Sequence, residues 1–404
     1  MHPRREGWKR LGLSMDQNQE RRRQDAMERQ KQARRDLTMH VRSLALPSVD
    51  SELEDLTATM MDAEMEVSMA ASKSRKKTRE DRVKARRSHY SNQLMHPEWM
   101  VDIPSTLVHA SVSSSRQREF DDGWLVLPRP DGKRCLVIAS NGSTVARTVS
   151  GSVLKKFPSA LPCGSRKTNA GQDQYCVLDC IFHEASETFC VLDVMCWKGY
   201  LLYDCTVDFR QYWLRDKLAE TTAATITNAN PYAFEPVPSY DCTVDGLIAA
   251  HATTFSFTKD GLLFYCKAGM YTPGLTPLVL LWRDADTSQY ENQLSVVLEV
   301  DDDGLACATS DHVVMYTFTP EQAKAEEVVA GDLVRVSVES IEWGGDGDVE
   351  VTGAVFQKRC SPQRGVADSW TKLAHVGQTS CSFEMLLSVL REDGHVDNAI
   401  GQVE

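Results

Sequence analysis

The chain has 404 residues, 42% of them hydrophobic, enough for two globular domains plus extensions at about 100–200 residues per domain, so a single small module is excluded. No run of about 18 uncharged apolar residues occurs, and the opening HPRREGWKR is not a basic patch followed by an apolar core, so neither a membrane span nor a secretory signal is expected. The net charge of −12 is unevenly spread: residues 1–90 carry 21 Lys+Arg against 15 Asp+Glu, whereas residues 91–404 carry 24 against 42, and an acidic body of this kind excludes wrapping of a long nucleic acid, whose affinity grows with the phosphates neutralised.

From Asp16 to Leu46 there is no Pro or Gly and the residues are mostly strong helix formers, which predicts one helix ended by Pro47. Its sparse apolar positions cannot bury a core unaided, while Arg21, Arg22, Arg23, Arg29, Lys31, Arg34, Arg35 and Arg42 place cations around it. Such a helix is a solvated arm or the ligand of an acidic partner surface. Residues 48–88 read as a linker, acidic and Met-rich at first, then SKSRKKTREDRVKARR with nine basic residues from Lys73 to Arg87.

After His89 short apolar or alternating runs separated by turns predict strands: GWLVLP, KRCLVIAS, YCVLDCIF, TFCVLDVMCW, LLYDC, GLLFYC and TPLVLLW. Helices are expected over Ser91–Met100, Phe209–Thr221 and Val244–Ala252. HEASET joins two half-buried strands as a hairpin connector. The twelve cysteines never fall as CxxC and lie mostly in the strand runs, so they are expected to be reduced and structural. Further strands follow in NQLSVVLEVDDDG, HVVMYTF, GDLVRVSVESIEW and DVEVTGAVFQKRC, and the polar residues from Arg391 are expected to fray. The fold class is α+β, dominated by antiparallel sheet.

HYSNQLMHPEWMVDIPS, DGKRCLVIASNGST, VLDVMCWKGYLLYDCTVDFRQYWLRDKL and DGLLFYCKAGMYTPGLTPLV resemble the snurportin family, import adaptors of spliceosomal small nuclear ribonucleoproteins. The resemblance runs from about residue 20 to about 283. It implies an importin-β-binding basic helix over 1–47, a linker over 48–88 and a guanylyltransferase-like domain over 89–291 that binds the 2,2,7-trimethylguanosine cap of small nuclear RNA. It also implies shuttling between cytoplasm and nucleus, with exportin as a further partner and no cofactor. Residues 292–385 resemble the oligonucleotide-binding β-barrel of mRNA capping enzymes, and 386–404 read as a tail.

A methylated guanine is cationic, so it stacks strongly on an indole. By resemblance the stacking residue is Trp282, although it sits one position later than the family's TPLVxW spacing. One residue reverses the face of a strand, so either a bulge restores its direction or Trp282 packs the core. Trp99, with His96 and Pro97 beside it, would line the pocket near the extra methyl groups. The triphosphate bridge requires cations, for which Arg129, Lys133 and Arg134 near the DGKRCLV turn are expected, with Arg147 substituting for a basic residue replaced by Val149. Trp197, Lys198, Trp213 and Arg215 read as core or its rim.

The same resemblance raises catalysis, because related nucleotidyltransferases use a lysine nucleophile in a KxDG motif. No KxDG occurs, and in FTKDGLLFY Lys259 directly precedes Asp260. The later RxDKxxPN stretch would fall on Arg359 to Val366, where Ser361 and Pro362 replace Asp and Lys. A non-catalytic adaptor is expected, the alternative being a divergent guanylyltransferase or ligase.

Overall fold

The computed structural model describes residues 15–32, 38–45, 85–91, 93–101, 103–104, 107, 123–168, 174–283, 295–310, 312–343, 349–360, 367–370, 372 and 382–400. Its centre is two β-sheets packed face to face. The first contains β1 (Met95–Trp99), β2 (Trp124–Pro130), β10 (Tyr240–Asp241), β11 (Lys259–Cys266) and β12 (Gly274–Trp282), in the order β1-β12-β11-β2-β10. The second contains β3 (Lys133–Ser140), β4 (Ser143–Thr148), β5 (Val153–Phe157), β6 (Tyr175–His183), β7 (Thr188–Trp197) and β8 (Tyr200–Leu201), in the order β5-β4-β3-β6-β7-β8, with β9 (Ala233–Pro236) parallel to β7.

Strand alternation divides the apolar residues into three cores. Leu125, Leu127, Leu263, Tyr265, Val279 and Leu281 of the first sheet meet Leu136, Ile138, Val177, Ile181 and Leu192 of the second. The outer face of the second sheet packs under α3 (Val207–Ala219) and an aromatic cluster in which Phe189 and Phe234 stack at 4.9 Å. The outer face of the first carries Trp124, Val126, Phe264, Leu280 and Trp282 beneath α1 (Met15–Gln32), α4 (Val244–Ala252) and α6 (Phe383–Ile400). All of β6 and β7 is buried because both faces of the second sheet are covered.

Two expectations change. Residues 95–99 are a strand, not helix: β1 pairs in parallel with β12, so tertiary pairing overrides a helix-compatible sequence, and Pro97 is tolerated because β1 is an edge strand. In the basic head α1 and α2 (Thr38–Ala45) are helical, and 33–37 between them lie outside the described residues. The expected tail instead contains α6, whose Leu386, Leu387 and Leu390 are buried in the outer core. Beyond residue 292, β13 (Ser295–Val300), β14 (Ala306–Ala308), β15 (Val314–Thr317), β16 (Leu333–Ser337) and β19 (Val355–Arg359) form an antiparallel sheet in the order β15-β14-β13-β16-β19. A separate hairpin joins β17 (Ser340–Trp343) and β18 (Val349–Thr352), and no pairing closes β15 onto β19 among the described residues. A capping box of Thr319 and Gln322 starts α5 (Pro320–Ala325) beside this sheet.

Most of the linker, and Arg34 and Arg35 of the head, lie outside the described residues. The eleven described cysteines are free and mostly buried. Burial pushes the Cys190 and Cys242 thiols up to about 12, which keeps them protonated and inert.

Candidate functional site

The space between the sheets contains polar residues in a defined arrangement. Asp179 of β6 lies directly opposite Asp193 of β7, two carboxylates in one cross-strand pair that would repel if unpaired. Each has its own arginine. Arg134 donates to Asp179 through Nε at 3.0 Å and Nη2 at 2.7 Å, and Arg210 of α3 donates to Asp193 through Nε and Nη2, both at 2.9 Å. Tyr271 donates its hydroxyl to Asp179 at 2.8 Å and accepts from the Met95 amide at 2.9 Å, tying β1 to the second sheet. Burial pushes the Tyr271 and Tyr265 phenols well up, so both stay protonated.

At the β1 end of this space stands Trp99, half-buried against the inter-sheet core. The guanidinium of Arg283 lies 5.2 Å from the centroid of its ring. Arg283 and Arg129 both pair with Asp260, a buried carboxylate at the start of β11. Arg129 lies two residues beyond Leu127 on β2 and so shares its inter-sheet face. Trp99, Arg129, Asp260 and Arg283 thus form one cluster of an indole and ion pairs. Neither Asp260 nor Arg283 is foreseen as a site residue from the sequence. The signal for Asp260 was its place in a strand that is otherwise apolar, where a carboxylate must find a cation.

The other expected site residues are placed differently. Trp282 is 0% exposed and on the far side of its sheet: β11 and β12 pair Leu262 with Trp282 and Leu263 with Leu281, so Leu281 faces the cleft and Trp282 the outer core. There its indole meets His251 at 6.1 Å and Phe383 at 6.0 Å between ring centroids. No bulge intervenes between Tyr265 and Leu262 to reverse it, so packing is the role the structure gives Trp282 and the stacking expectation is corrected. Arg134 is corrected from phosphate ligand to structural clamp, because its fork holds Asp179 and the Met95 carbonyl, the latter at 2.6 Å. Lys133 is one residue earlier and therefore on the opposite face, where it pairs with exposed Glu184 at 2.7 Å. Arg147 stacks on Tyr90 at 3.7 Å and donates to the Gly151 carbonyl at 3.1 Å, fastening the helical turn over 85–90.

In α1, Arg21 and Arg29 are exposed, as is Arg42 in α2, whereas Arg22 donates to Glu98 at 3.2 and 2.7 Å. Arg23 is buried: its guanidinium donates to the Pro277 carbonyl at 3.3 Å, pairs with Glu20 and lies 5.0 Å from the Trp124 ring centroid. An exposed partner-facing role for Arg23 is thereby corrected. Lys31 is the penultimate residue of α1, and its side chain is outside the described residues.

His96 and Pro97 are half-buried on β1. The His96 Nε2 is buried with no hydrogen-bond partner among the described residues. Burial first, and then the nearby Arg134 charge, lower its pKa from 6.5 to about 3, so the imidazole is neutral at physiological pH. Above the unfolded value both states hold it neutral. As pH falls below that value the unfolded imidazole takes a proton that the folded one refuses until about pH 3, so stability falls through this window. The slope is at most about 1.4 kcal/mol per pH unit. His96→Leu is expected to lose less stability than the parent between pH 7 and pH 5 in urea unfolding, and equal losses would contradict the assignment.

Among the described residues no group of His, Cys, Asp or Glu is arranged to hold a metal, and no helix is long and apolar enough to cross a membrane. Among solved structures, this chain is similar to one titled mycobacterial DNA ligase D complexed with ATP and MES, at 14% identity over 61% of this chain and 93% of that one, with a TM-score of 0.30. It is also similar to the ATP-dependent DNA ligase from bacteriophage T7 in complex with ATP, at 8% identity over 67% of this chain and 100% of that one, with a TM-score of 0.32. The family model described as Snurportin1, m3G cap-binding domain matches residues 93–284, a stretch that holds both sheets and every member of the Trp99, Arg129, Asp260 and Arg283 cluster. Over those residues, just under half of the chain, the sequence is similar to the m3G cap-binding domain of the snurportin family.

Proposed function

We propose that this protein is a nuclear import adaptor that binds the 2,2,7-trimethylguanosine cap of small nuclear RNA in the inter-sheet cleft and recruits importin-β through its basic N-terminal helices, without catalytic turnover. The observation that carries this reading is the match of residues 93–284 to a cap-binding family. Trp99 supplies the indole on which a cationic purine stacks, with Arg129 beside it for the phosphates. His96, neutral at working pH, adds no charge to repel a cationic base. The exposed Arg21, Arg29 and Arg42 are the cations offered to an acidic receptor.

The absence of turnover is supported by the state of the FTKDG segment. Asp260 is engaged by two arginines rather than open to a metal, and Lys259 donates to the His251 carbonyl on the outer side of the sheet. The test titrates the full chain with a trimethylguanosine cap analogue and with its unmethylated counterpart. Preferential binding of the methylated form is expected, and Trp99→Ala should weaken it by about 1–3 kcal/mol. Absence of any preference overturns the cap reading. Incubation with labelled GTP and Mg²⁺ should leave no covalent adduct, and a stable one would show a nucleotidyltransferase instead.

A further inference from the structure

The strand register that turns Trp282 outward turns the next residue, Arg283, into the cleft. Its guanidinium then occupies a position over the ring of Trp99, 5.2 Å from the centroid. Two features hold it there. Asp260, buried at the start of β11, pairs with it from below. Gly261 has φ +92° and sits at a β-bulge, where an added Cβ would lie 2.4 Å from the Trp282 carbonyl oxygen and 2.6 Å from Cγ of Arg283. Only a glycine lets the arginine stem cross at that point. Because Leu281 is the register partner of Trp99 on the neighbouring strand, aliphatic side chain and guanidinium together cover ring surface that a base would use.

We propose that Arg283 is a specificity-determining residue of cap recognition, an internal cation on the Trp99 face that an incoming base must displace. The inference rests on the cap-binding reading and goes beyond it by assigning the preference for a charged base to a residue outside the aromatic stack. A neutral guanine that stacks on Trp99 removes a guanidinium from the indole and returns only ordinary stacking. A guanine methylated at N7 carries its own positive charge and replaces one cation with another. The cost of displacement therefore falls mainly on unmethylated bases, and the site discriminates by what it already contains. Arg283 fits this role better than lysine would, since a planar, weakly hydrated guanidinium stacks on an aromatic face whereas an ammonium stays hydrated.

The experiment measures dissociation constants of the full chain for a trimethylguanosine cap dinucleotide and for the unmethylated dinucleotide, in the parent and in Arg283→Gln and Arg283→Lys. In Arg283→Gln the unmethylated ligand is expected to bind more tightly, and the ratio between the two ligands to narrow by about three- to thirtyfold. Arg283→Lys should keep a larger part of that ratio, and its retained charge toward Asp260 provides a folded comparison should glutamine loosen the bulge. An unchanged ratio in Arg283→Gln overturns the inference, as does an equal fall in both affinities, which would make Arg283 a phosphate contact. A parent chain that binds neither ligand removes the cap reading itself, whereas a discriminating parent whose Arg283→Gln variant keeps the same ratio removes only this inference.

Discussion

Replacing Arg210 with alanine is expected to cost about 3–5 kcal/mol of folding stability, the scale seen when one partner of a buried ion pair is removed. Arg210 and Asp193 are both 0% exposed, and the arginine reaches two further acceptors, the carbonyls of Cys205 at 2.5 Å and Gly269 at 3.1 Å. Removing the guanidinium leaves Asp193 charged in a dry core with Asp179 directly across the strand pair, so one deletion leaves a desolvated carboxylate and a like-charge repulsion together. Replacing both partners by apolar residues, Asp193→Leu with Arg210→Met, should cost less than Arg210→Ala alone, because no buried charge is then left over. Urea unfolding of the two single variants and the pair checks this. An Arg210→Ala loss below about 1 kcal/mol would mean that water reaches Asp193.

This pair also has a functional consequence. Through Gly269 it fixes the segment that carries Tyr271, and Tyr271 in turn holds Asp179 and the amide of Met95 at the start of β1. Met95 and Trp99 belong to the same strand, so the position of the indole in the cleft depends on a chain of buried bonds that begins on α3. Asp193 further accepts from the Val194 amide at 2.8 Å, which pins its rotamer.

The strands were legible because their periodicity is strong: YCVLDCIFH and TFCVLDVMCW are apolar enough to be buried on both faces, and both lie in the centre of the second sheet. Helix α6 was legible in principle, since Phe383, Leu386, Leu387 and Leu390 recur at helical spacing, but this stripe is short and the residues after Arg391 are mostly polar. β1 was not, because HPEW contains no alternating apolar pattern and becomes a strand only by pairing with β12. The site was half legible. Trp99 and Arg129 both stand at the β1 end of the inter-sheet space, joined through Arg283 and Asp260, but which face Trp282 and Lys133 take is a question of register, and a one-residue difference in spacing decides it. At a hairpin tip the sequence points Arg134 to solvent, whereas its partner Asp179 is 45 residues away in sequence. The lone aspartates of VLDC and VLDV were the available clue: carboxylates inside apolar strands demand buried cations.

Trp282→Ala is expected to behave as a core truncation, with a loss of about 3–5 kcal/mol, and to leave cap affinity little changed while the chain remains folded. The indole fills the space between β12, His251 of α4 and Phe383 of α6, so alanine opens a cavity where two helices meet the sheet. Trp282→Phe retains most of the apolar volume and should cost less. A stacking residue on an open cleft predicts the opposite pattern, in which alanine lowers ligand affinity by about 1–3 kcal/mol and hardly touches the unfolding midpoint. Measuring both quantities on the same protein, with Trp99→Ala as the counterpart, separates the two roles: Trp99 should lose affinity and Trp282 stability. A Trp282→Ala chain as stable as its parent but unable to bind the cap would place this indole in the ligand site, and the register of β12 against β11 would then have to shift by one residue.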